Sequence, residues 1–174
     1  MKFFILLALV FTMGVAKGTD YYVSTTGNNS NNGTSASTPW QTLSKVQSMF
    51  NNGSIAPGDK VMFKKGDVFT GTLLVSSIWG YSARSGTATN PITISTYGTG
   101  AKPIFQYPTT STTTLVHRVT MWFVGVNHYV VDGLNFTETV NTQNDKFTAA
   151  NCAFGIYLGT YGEAVCNNFN IKNI

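Results

Sequence analysis

A short segment occurs twice in this chain at an offset of 40 residues, and it constrains the fold more than any other feature. Residues 129–134 read YVVDGL, and residues 169–174 read FNIKNI. Both begin with an aromatic residue, carry a β-branched residue third and end on an aliphatic residue. Gly133 and Asn173 precede that last residue, and both types tolerate the left-handed backbone of a sharp bend. The pair predicts a solenoid, in which every coil turns at the same place so that apolar residues stack on the coil below.

Short stretches of alternating hydrophobicity fill the chain from Asp59 onward. Apolar residues recur at every second position and Gly, Pro, Asn or Ser bound each stretch, as in Val61 and Phe63, Leu73 and Val75, or Ile92 and Ile94. Alternation with a period of two is typical of strands that bury one face. Charged residues make up only 10% of the chain, so hydroxyl and amide side chains supply most of its polar surface. The chain is therefore predicted to be all-β.

One helix is predicted ahead of these strands. Thr38 is the expected N-cap, Pro39 the first helical residue and Gln41 the residue that completes a capping box. An apolar face follows at helical spacing, formed by Trp40, Leu43, Val46 or Gln47, and Phe50. The segment 51–53, Asn-Asn-Gly, suits a left-handed C-cap. We expect this helix to cover the open end of the β-stack, and packing on a β-sandwich is the alternative.

The first 16 residues have the pattern of a secretory signal peptide. Lys2 supplies a positive start, residues 3–10 are an unbroken apolar run, and the small residues at 14–16 suit cleavage before Lys17, with cleavage after Gly18 as the alternative. The run is too short to span a bilayer, and a buried N-terminal strand or helix is the alternative. We expect a secreted product, whether periplasmic, extracellular or at the cell surface. The expected domains are the signal peptide, the N-terminal strand with its loop and capping helix, and the β-helix coils, at residues 1–16, 17–58 and 59–174.

The charge of the chain and the spacing of its cysteines and histidines limit the partners, metal sites and disulfides that are expected. The formal net charge of +4 suits an anionic partner such as an acidic glycan. Basic residues are scattered rather than gathered into a stripe, so nucleic acid is not expected. No CxxC or paired-histidine spacing occurs, so no metal site is expected. Cys152 and Cys166 either form a disulfide in an oxidising compartment or remain two buried thiols.

Five segments, taken in order, also resemble the start of bacterial proteins of the pectate-lyase-like superfamily. They are YYVS at 21–24, TPWQTL at 38–43, PGDKV at 57–61, FKKG at 63–66 and NPITISTYG at 90–98. The segments at 129–136 and 169–174 are similar to the coils of that family. The resemblance implies an all-β, right-handed single-stranded parallel β-helix with an N-terminal capping α-helix, cut short at its C-terminus.

The resemblance also implies a function. Members are commonly secreted polysaccharide lyases or glycoside hydrolases, and we expect the N-terminal part of one that acts on acidic plant or algal polysaccharide. No catalytic pattern of the family matches here, so the catalytic residues are expected beyond Ile174. The full-length protein is expected to be a monomer that binds polysaccharide. A non-catalytic β-helix for surface adhesion or glycan binding, or a small β-sandwich binding module, are the alternatives.

The expectation of bound calcium rests only on the resemblance. Relatives of the superfamily use Ca²⁺, and it is expected in the full-length protein rather than in this segment, where no cofactor is evident. Asn29 and Asn32 stand in the loop at 27–34, where relatives often carry Asp. Because neutral amides lack the charge that a hard cation prefers, no calcium site is expected in this loop.

Three residues are the candidates for binding a substrate. Asp132 and Lys172 occupy equivalent outward positions on adjacent coils, as an acid and base in a sugar groove or as an exposed ion pair. Arg118 follows His117 before a predicted strand, and its guanidinium suits an acidic sugar unless the segment is a solvated loop. Acidic residues that lie in an expected binding loop are Glu138, Asp145 and Glu163. Aromatic residues that either stack on sugar rings or belong to the core are Trp79, Tyr81 and Trp122.

Overall fold

The structure is a computed structural model that describes residues 17–107, 118–137, 153–159 and 166–174. The predicted signal peptide lies outside these ranges. Within them, the elements in chain order are β1 (Asp20–Val23), α1 (Leu43–Asn51), β2 (Lys60–Lys64), β3 (Val68–Thr70), β4 (Leu73–Ser76), β5 (Ile92–Tyr97), β6 (Ile104–Gln106), β7 (Arg118–Val124), β8 (Tyr129–Asp132), β9 (Asn135–Thr137), β10 (Ala153–Gly159) and β11 (Phe169–Lys172). No helix in the described part is long and apolar enough to cross a bilayer.

The strands form three parallel sheets. Sheet 1 has the order β1-β2-β5-β8-β11, sheet 2 the order β3-β6-β9 and sheet 3 the order β4-β7-β10. From β2 onward, successive strands in the chain belong to different sheets, and each pairs in parallel with its equivalent one coil away. The chain therefore winds into a parallel β-helix, which confirms the predicted fold. A β-sandwich is excluded, because its sheets would be antiparallel.

The repeated segment pairs in the register that the sequence predicts. Phe169 on β11 lies beside Tyr129 on β8, and the pairing continues residue by residue to the ends of both strands. The two rings stack at 5.5 Å with an interplanar angle of 10°. Gly133 (φ 78°) and Asn173 (φ 51°) follow these strands, and both have left-handed backbone. The bend directly after the sheet 1 strand is thus built the same way in two successive coils.

The coils differ in length although the strands of sheet 1 stay in register. The pairing positions are 40, 33, 37 and 40 residues apart, at Asp20, Lys60, Thr93, Val130 and Asn170. Since pairing in the sheet is continuous, the connections between strands absorb the difference. Length variation is therefore confined to the connections, and the stacked core is unaffected.

Inward side chains form columns through the coils. Val61, Ile94 and Val131 are paired neighbours in sheet 1, and all three are fully buried. A second column is aromatic: Phe105 packs on Phe69 and on Phe136, with ring centroids 5.6 Å apart in each pair. These columns bury apolar area that an isolated coil would leave in water, so each coil depends on its neighbours.

The helix forms, but its predicted N-cap at Thr38 is wrong. The observed N-cap is Thr42, whose side-chain oxygen accepts a hydrogen bond from the Lys45 backbone N–H at 3.2 Å. Trp40 is not helical, because it forms a parallel bridge with Val23 at the edge of sheet 1. Tertiary pairing thus displaces the helix start, even though the Thr-Pro pair would have been a good local signal.

Two amide side chains of α1 bind the free edge of β4. Gln47 Oε1 accepts from the Leu74 backbone N–H at 2.8 Å. Asn51 Nδ2 donates to the Leu74 carbonyl at 2.9 Å, and Asn51 Oδ1 accepts from the Ser76 backbone N–H at 3.0 Å. These amides satisfy edge groups that a further strand would otherwise satisfy. The prediction of a capping helix at the end of the stack is confirmed.

Candidate functional site

The outer face of sheet 1 brings together two of the three predicted substrate-binding residues. Asp132 and Lys172 are paired neighbours at the ends of β8 and β11, and Lys172 Nζ lies 3.5 Å from Asp132 Oδ2. Both side chains point outward because the residues beside them, Val131 and Ile171, belong to the inward column. Half of the Lys172 side chain and 29% of the Asp132 side chain are exposed, so the pair lies at the surface.

Two further residues complete this site, which we call the corner cluster: Lys102, Asp132, Lys172 and Asn173. Asn173 Nδ2 donates to Asp132 Oδ1 at 2.7 Å, and Lys102 Nζ donates to the Asn173 carbonyl at 2.6 Å. In the sequence, Asn173 stands out only for its expected backbone conformation, and Lys102 is one of the scattered basic residues. The position of Asn173 directly after the turn could have indicated its role, but the approach of Lys102 requires the folded coil.

The corner cluster contains one carboxylate, which limits its chemistry. Glycosidases generally use two carboxylates, about 5–5.5 Å or about 6.5–9.5 Å apart. Asp59 accepts two backbone N–H groups at 2.7 and 2.8 Å, and Asp67 accepts a backbone N–H and a serine hydroxyl at 2.8 and 2.9 Å. Asp20 lies three strands and two residue positions from Asp132 in sheet 1, about 16 Å away at ordinary strand dimensions. Among the described residues, the cluster offers hydrogen-bond donors and one carboxylate acceptor but lacks a second carboxylate for bond cleavage.

Several predicted residues fall outside the described ranges. Arg118 begins β7, and only its backbone is described. The residues outside are His117, Glu138, Asp145, Cys152 and Glu163. Their predicted roles stay predictions.

Cys166 lies beside the buried aromatic residues of sheets 1 and 3. Among the described residues it forms no disulfide, and its Sγ lies 3.3 Å from the Phe123 carbonyl and 3.4 Å from the Gly159 carbonyl. Since Cys152 is outside the described ranges, the disulfide between the two cysteines is not tested and stays a prediction.

The buried phenol next to this thiol has an altered acidity. Burial raises the pKa of Tyr129 far above its ordinary value of 10.0, and the nearby Cys166 adds to the increase. The phenol donates a hydrogen bond to the Arg84 carbonyl at 2.6 Å. Its role is structural, because a fully buried and paired hydroxyl is out of reach of a substrate.

The predicted aromatic residues divide between two surfaces. Trp122 is partly buried on the outer face of sheet 3, with its ring 5.6 Å from that of Tyr157. Trp79 and Tyr81 lie in the loop after β4 and are 51% and 39% exposed. None of the three belongs to the buried core of the described residues, so stacking on a sugar remains open to them.

The asparagine-rich loop at 27–34 binds its own chain. Asn29 Oδ1 accepts the backbone N–H groups of Gln41 and Thr42 at 2.9 and 3.1 Å, and Asn31 Nδ2 donates to the Pro39 carbonyl at 3.0 Å. These bonds hold the segment that leads into α1. No group of three or more potential metal ligands occurs in the described part of the chain.

Comparison with known proteins agrees with this fold. No protein-family model matches the chain. A lacto-N-biosidase of Bifidobacterium longum subsp. longum is 38% identical over 84 residues, which are 48% of this chain and 5% of that protein. The solved structure of a GH136 lacto-N-biosidase from Eubacterium ramulus superposes with a TM-score of 0.60 at 23% identity, covering 88% of this chain and 27% of that one.

A rhamnogalacturonan lyase is a second structural neighbour. It superposes with a TM-score of 0.50 at 21% identity, covering 68% of this chain and 28% of that one. The chain thus spans 5% of the length of the curated relative and about a quarter of each solved structure. These likenesses agree with the parallel β-helix fold.

Proposed function

We propose that this chain is part of a secreted carbohydrate-active enzyme, and that the enzyme is a glycoside hydrolase of the lacto-N-biosidase kind. One observation carries the proposal: the sequence comparison and the structural comparison both lead to lacto-N-biosidases. The structural likeness extends over 88% of this chain, so it includes most of the coils rather than a single motif. The activity would belong to the whole protein, of which this chain would form a part.

In this proposal the corner cluster contacts the substrate. Its lysine amines and its asparagine amide are hydrogen-bond donors that suit sugar hydroxyls, and its carboxylate is an acceptor. The cluster lies on the outer face of sheet 1, where coils further along would continue the same row of outward positions. Since it holds a single carboxylate, its contribution is to position the sugar rather than to cleave the bond.

A polysaccharide lyase acting on an acidic glycan is the second candidate. The structural likeness to a rhamnogalacturonan lyase and the formal net charge of +4 favour it. A uronate carboxylate would then pair with Lys172 or Lys102 in the corner cluster. The two candidates predict different products, because a lyase leaves an unsaturated sugar and a hydrolase does not.

The deciding experiment assays the complete protein that contains this chain. A chromogenic lacto-N-bioside tests hydrolysis, while rhamnogalacturonan and polygalacturonate test formation of unsaturated products. Release of chromogen alone supports the hydrolase, and unsaturated ends alone support the lyase. If neither glycan class is cleaved but one is bound, a non-catalytic glycan-binding β-helix replaces both candidates.

Secretion is tested separately. The protein is expected in the periplasm, in the medium or at the cell surface, with its N-terminus near Lys17. Mass spectrometry of the N-terminal peptide from each fraction measures this. Recovery of the intact residues 1–16 in the cytoplasm alone would contradict it.

A further inference from the structure

Four lysines lie at the bends that follow the strands of sheet 1. Lys64 ends β2 and Lys65 follows it, Lys102 lies in the connection from β5 to β6, and Lys172 ends β11. These residues are far apart in the sequence, where they look scattered. Because the strands of sheet 1 stack in register, the coils bring all four to the same side of the solenoid. We call this set of four lysines the lysine bend.

Hydrogen bonds between successive coils join the parts of the lysine bend. The Gly66 backbone N–H donates to the Ala101 carbonyl at 2.8 Å, which connects the bend after β2 to the bend after β5. Lys102 Nζ donates to the Asn173 carbonyl at 2.6 Å, in the bend after β11. Three strand spacings separate β2 from β11 in sheet 1, so the lysine bend extends over about 14 Å.

The backbone between these lysines is open to a ligand. A Cβ placed on Gly66, Gly98 or Gly100 would meet no atom within 4 Å, and one on Gly133 would only touch Thr96 at 3.5 Å. The lysine side chains at either end of this surface are exposed or partly exposed. An extended ligand therefore has room to lie along the bends, against the backbone and beside the lysine amines.

The lysine bend carries an excess of positive charge. Two carboxylates belong to the same bends: Asp132 pairs with Lys172, and Asp67 accepts hydrogen bonds from a serine hydroxyl and a backbone N–H of the preceding bend. In the part of the chain that the structure describes, the other three lysines form no salt bridge. Four lysines beside two carboxylates leave a surplus of two positive charges, and such a surface concentrates anions near it.

The spacing of the lysines indicates the class of anion. Duplex DNA carries about one charge per 1.7 Å, and thus about eight charges over 14 Å, which is twice the number of lysines. A linear polysaccharide with one acidic group on each sugar is less densely charged and matches about one lysine per coil. We propose that the lysine bend binds a linear acidic polysaccharide and so holds the protein on an anionic matrix, whichever bond the enzyme cleaves.

The inference rests on the proposed function in one respect, because Lys102 and Lys172 also belong to the corner cluster, where that function places a glycan. Lys64 and Lys65 lie outside the corner cluster and extend the contact by one further coil. Their removal therefore tests the polysaccharide site without changing a residue that was assigned to the substrate of the enzyme.

The test measures binding of the complete protein to three polyanions at low and high salt. Polygalacturonate presents carboxylates, dextran sulfate presents sulfates, and single-stranded DNA presents phosphates. The bend variant combines Lys64→Gln with Lys65→Gln. The matched control combines Lys60→Gln with Arg84→Gln, which removes the same charge from two exposed positions away from the bends.

We expect the bend variant to bind at least one of the two polysaccharides about fivefold more weakly than the unchanged protein, and the control to stay within about twofold. The polysaccharide that binds more tightly identifies the recognised group as carboxylate or sulfate. High salt should weaken the binding and reduce the difference between the variants. Asp132→Asn should bind more tightly, because it removes the carboxylate that neutralises Lys172.

Equal weakening in the bend variant and the control would reveal a general effect of net charge and overturn the proposal. Tighter binding of DNA than of either polysaccharide, or no binding of either polysaccharide, would also overturn it. Cleavage of the chromogenic lacto-N-bioside is measured in parallel and should be unchanged in the bend variant. A failure of the polysaccharide site is thereby distinguishable from a failure of the proposed enzymatic activity.

Discussion

Replacing Asn51 by Leu tests whether the amides of α1 complete the free edge of sheet 3. The Asn51 side chain is buried, and it makes one hydrogen bond to Ser76 at 3.0 Å and one to Leu74 at 2.9 Å. Leucine has a similar volume but can make neither bond. A buried polar group left unpaired costs about 1–3 kcal/mol. Two such groups therefore predict a loss of about 2–6 kcal/mol in the free energy of unfolding.

Gln47→Leu provides a graded comparison on the same helix. Gln47 makes a single bond to the Leu74 backbone N–H at 2.8 Å, so its loss should be about 1–3 kcal/mol. Ser48→Ala is the control, since Ser48 is exposed and its change should stay within about 0.5 kcal/mol.

The assay is denaturant unfolding combined with hydrogen exchange at the Ser76 amide, which should lose protection only in Asn51→Leu. A loss below about 0.5 kcal/mol for Asn51→Leu, or equal losses for all three variants, would show that the edge groups are satisfied in another way.

Four further predictions concern the turn at Gly133, the corner cluster and the core. Gly133→Ala should destabilise the protein by about 1–2 kcal/mol in thermal unfolding, because Gly133 has φ 78° and the added Cβ only touches Thr96 at 3.5 Å. Asn173→Gly should change stability by less than about 0.5 kcal/mol, and a large loss would contradict the turn argument. Asp132→Asn should cost no more than about 1 kcal/mol, and less in high salt, because the pair with Lys172 is exposed. A cost that did not shrink with salt would indicate a buried interaction. Burial raises the pKa of Tyr129 in the folded state, so its contribution is fully present below the unfolded pKa of about 10 and is lost as pH rises above it. The free energy of unfolding should then fall by up to about 1.4 kcal/mol per pH unit, and Tyr129→Phe should remove that slope.

The sequence predicts those features of the fold that are set by local residue types. The register of β8 and β11 followed from comparing two segments, because stacking requires equivalent residues at equivalent positions. Gly133 and Asn173 indicated the corner, since few residues tolerate left-handed backbone. The ion pair of Asp132 and Lys172 followed directly from that register.

Features that depend on distant contacts could not be predicted in the same way. The helix starts at Thr42 because the preceding segment pairs with β1 and binds Asn29, and neither contact leaves a local signal in the sequence. The role of Lys102 depends on a coil returning to the same corner. Trp79 precedes a glycine, yet nothing in its type indicates a left-handed backbone, because bulky residues almost never adopt it.

The hydrogen bonds from α1 to β4 also determine how the coils would respond to mechanical tension. In a solenoid each coil contacts only its neighbours, so a pull along the chain detaches coils one after another. A pull on the N-terminal side first separates β1 from β2 and then acts on the hydrogen bonds of Gln47 and Asn51 to β4, so α1 detaches from β4 in one later rupture. The force record should show a high peak at that rupture, followed by steps of 33–40 residues. Each of these steps would lengthen the chain by roughly 110–140 Å.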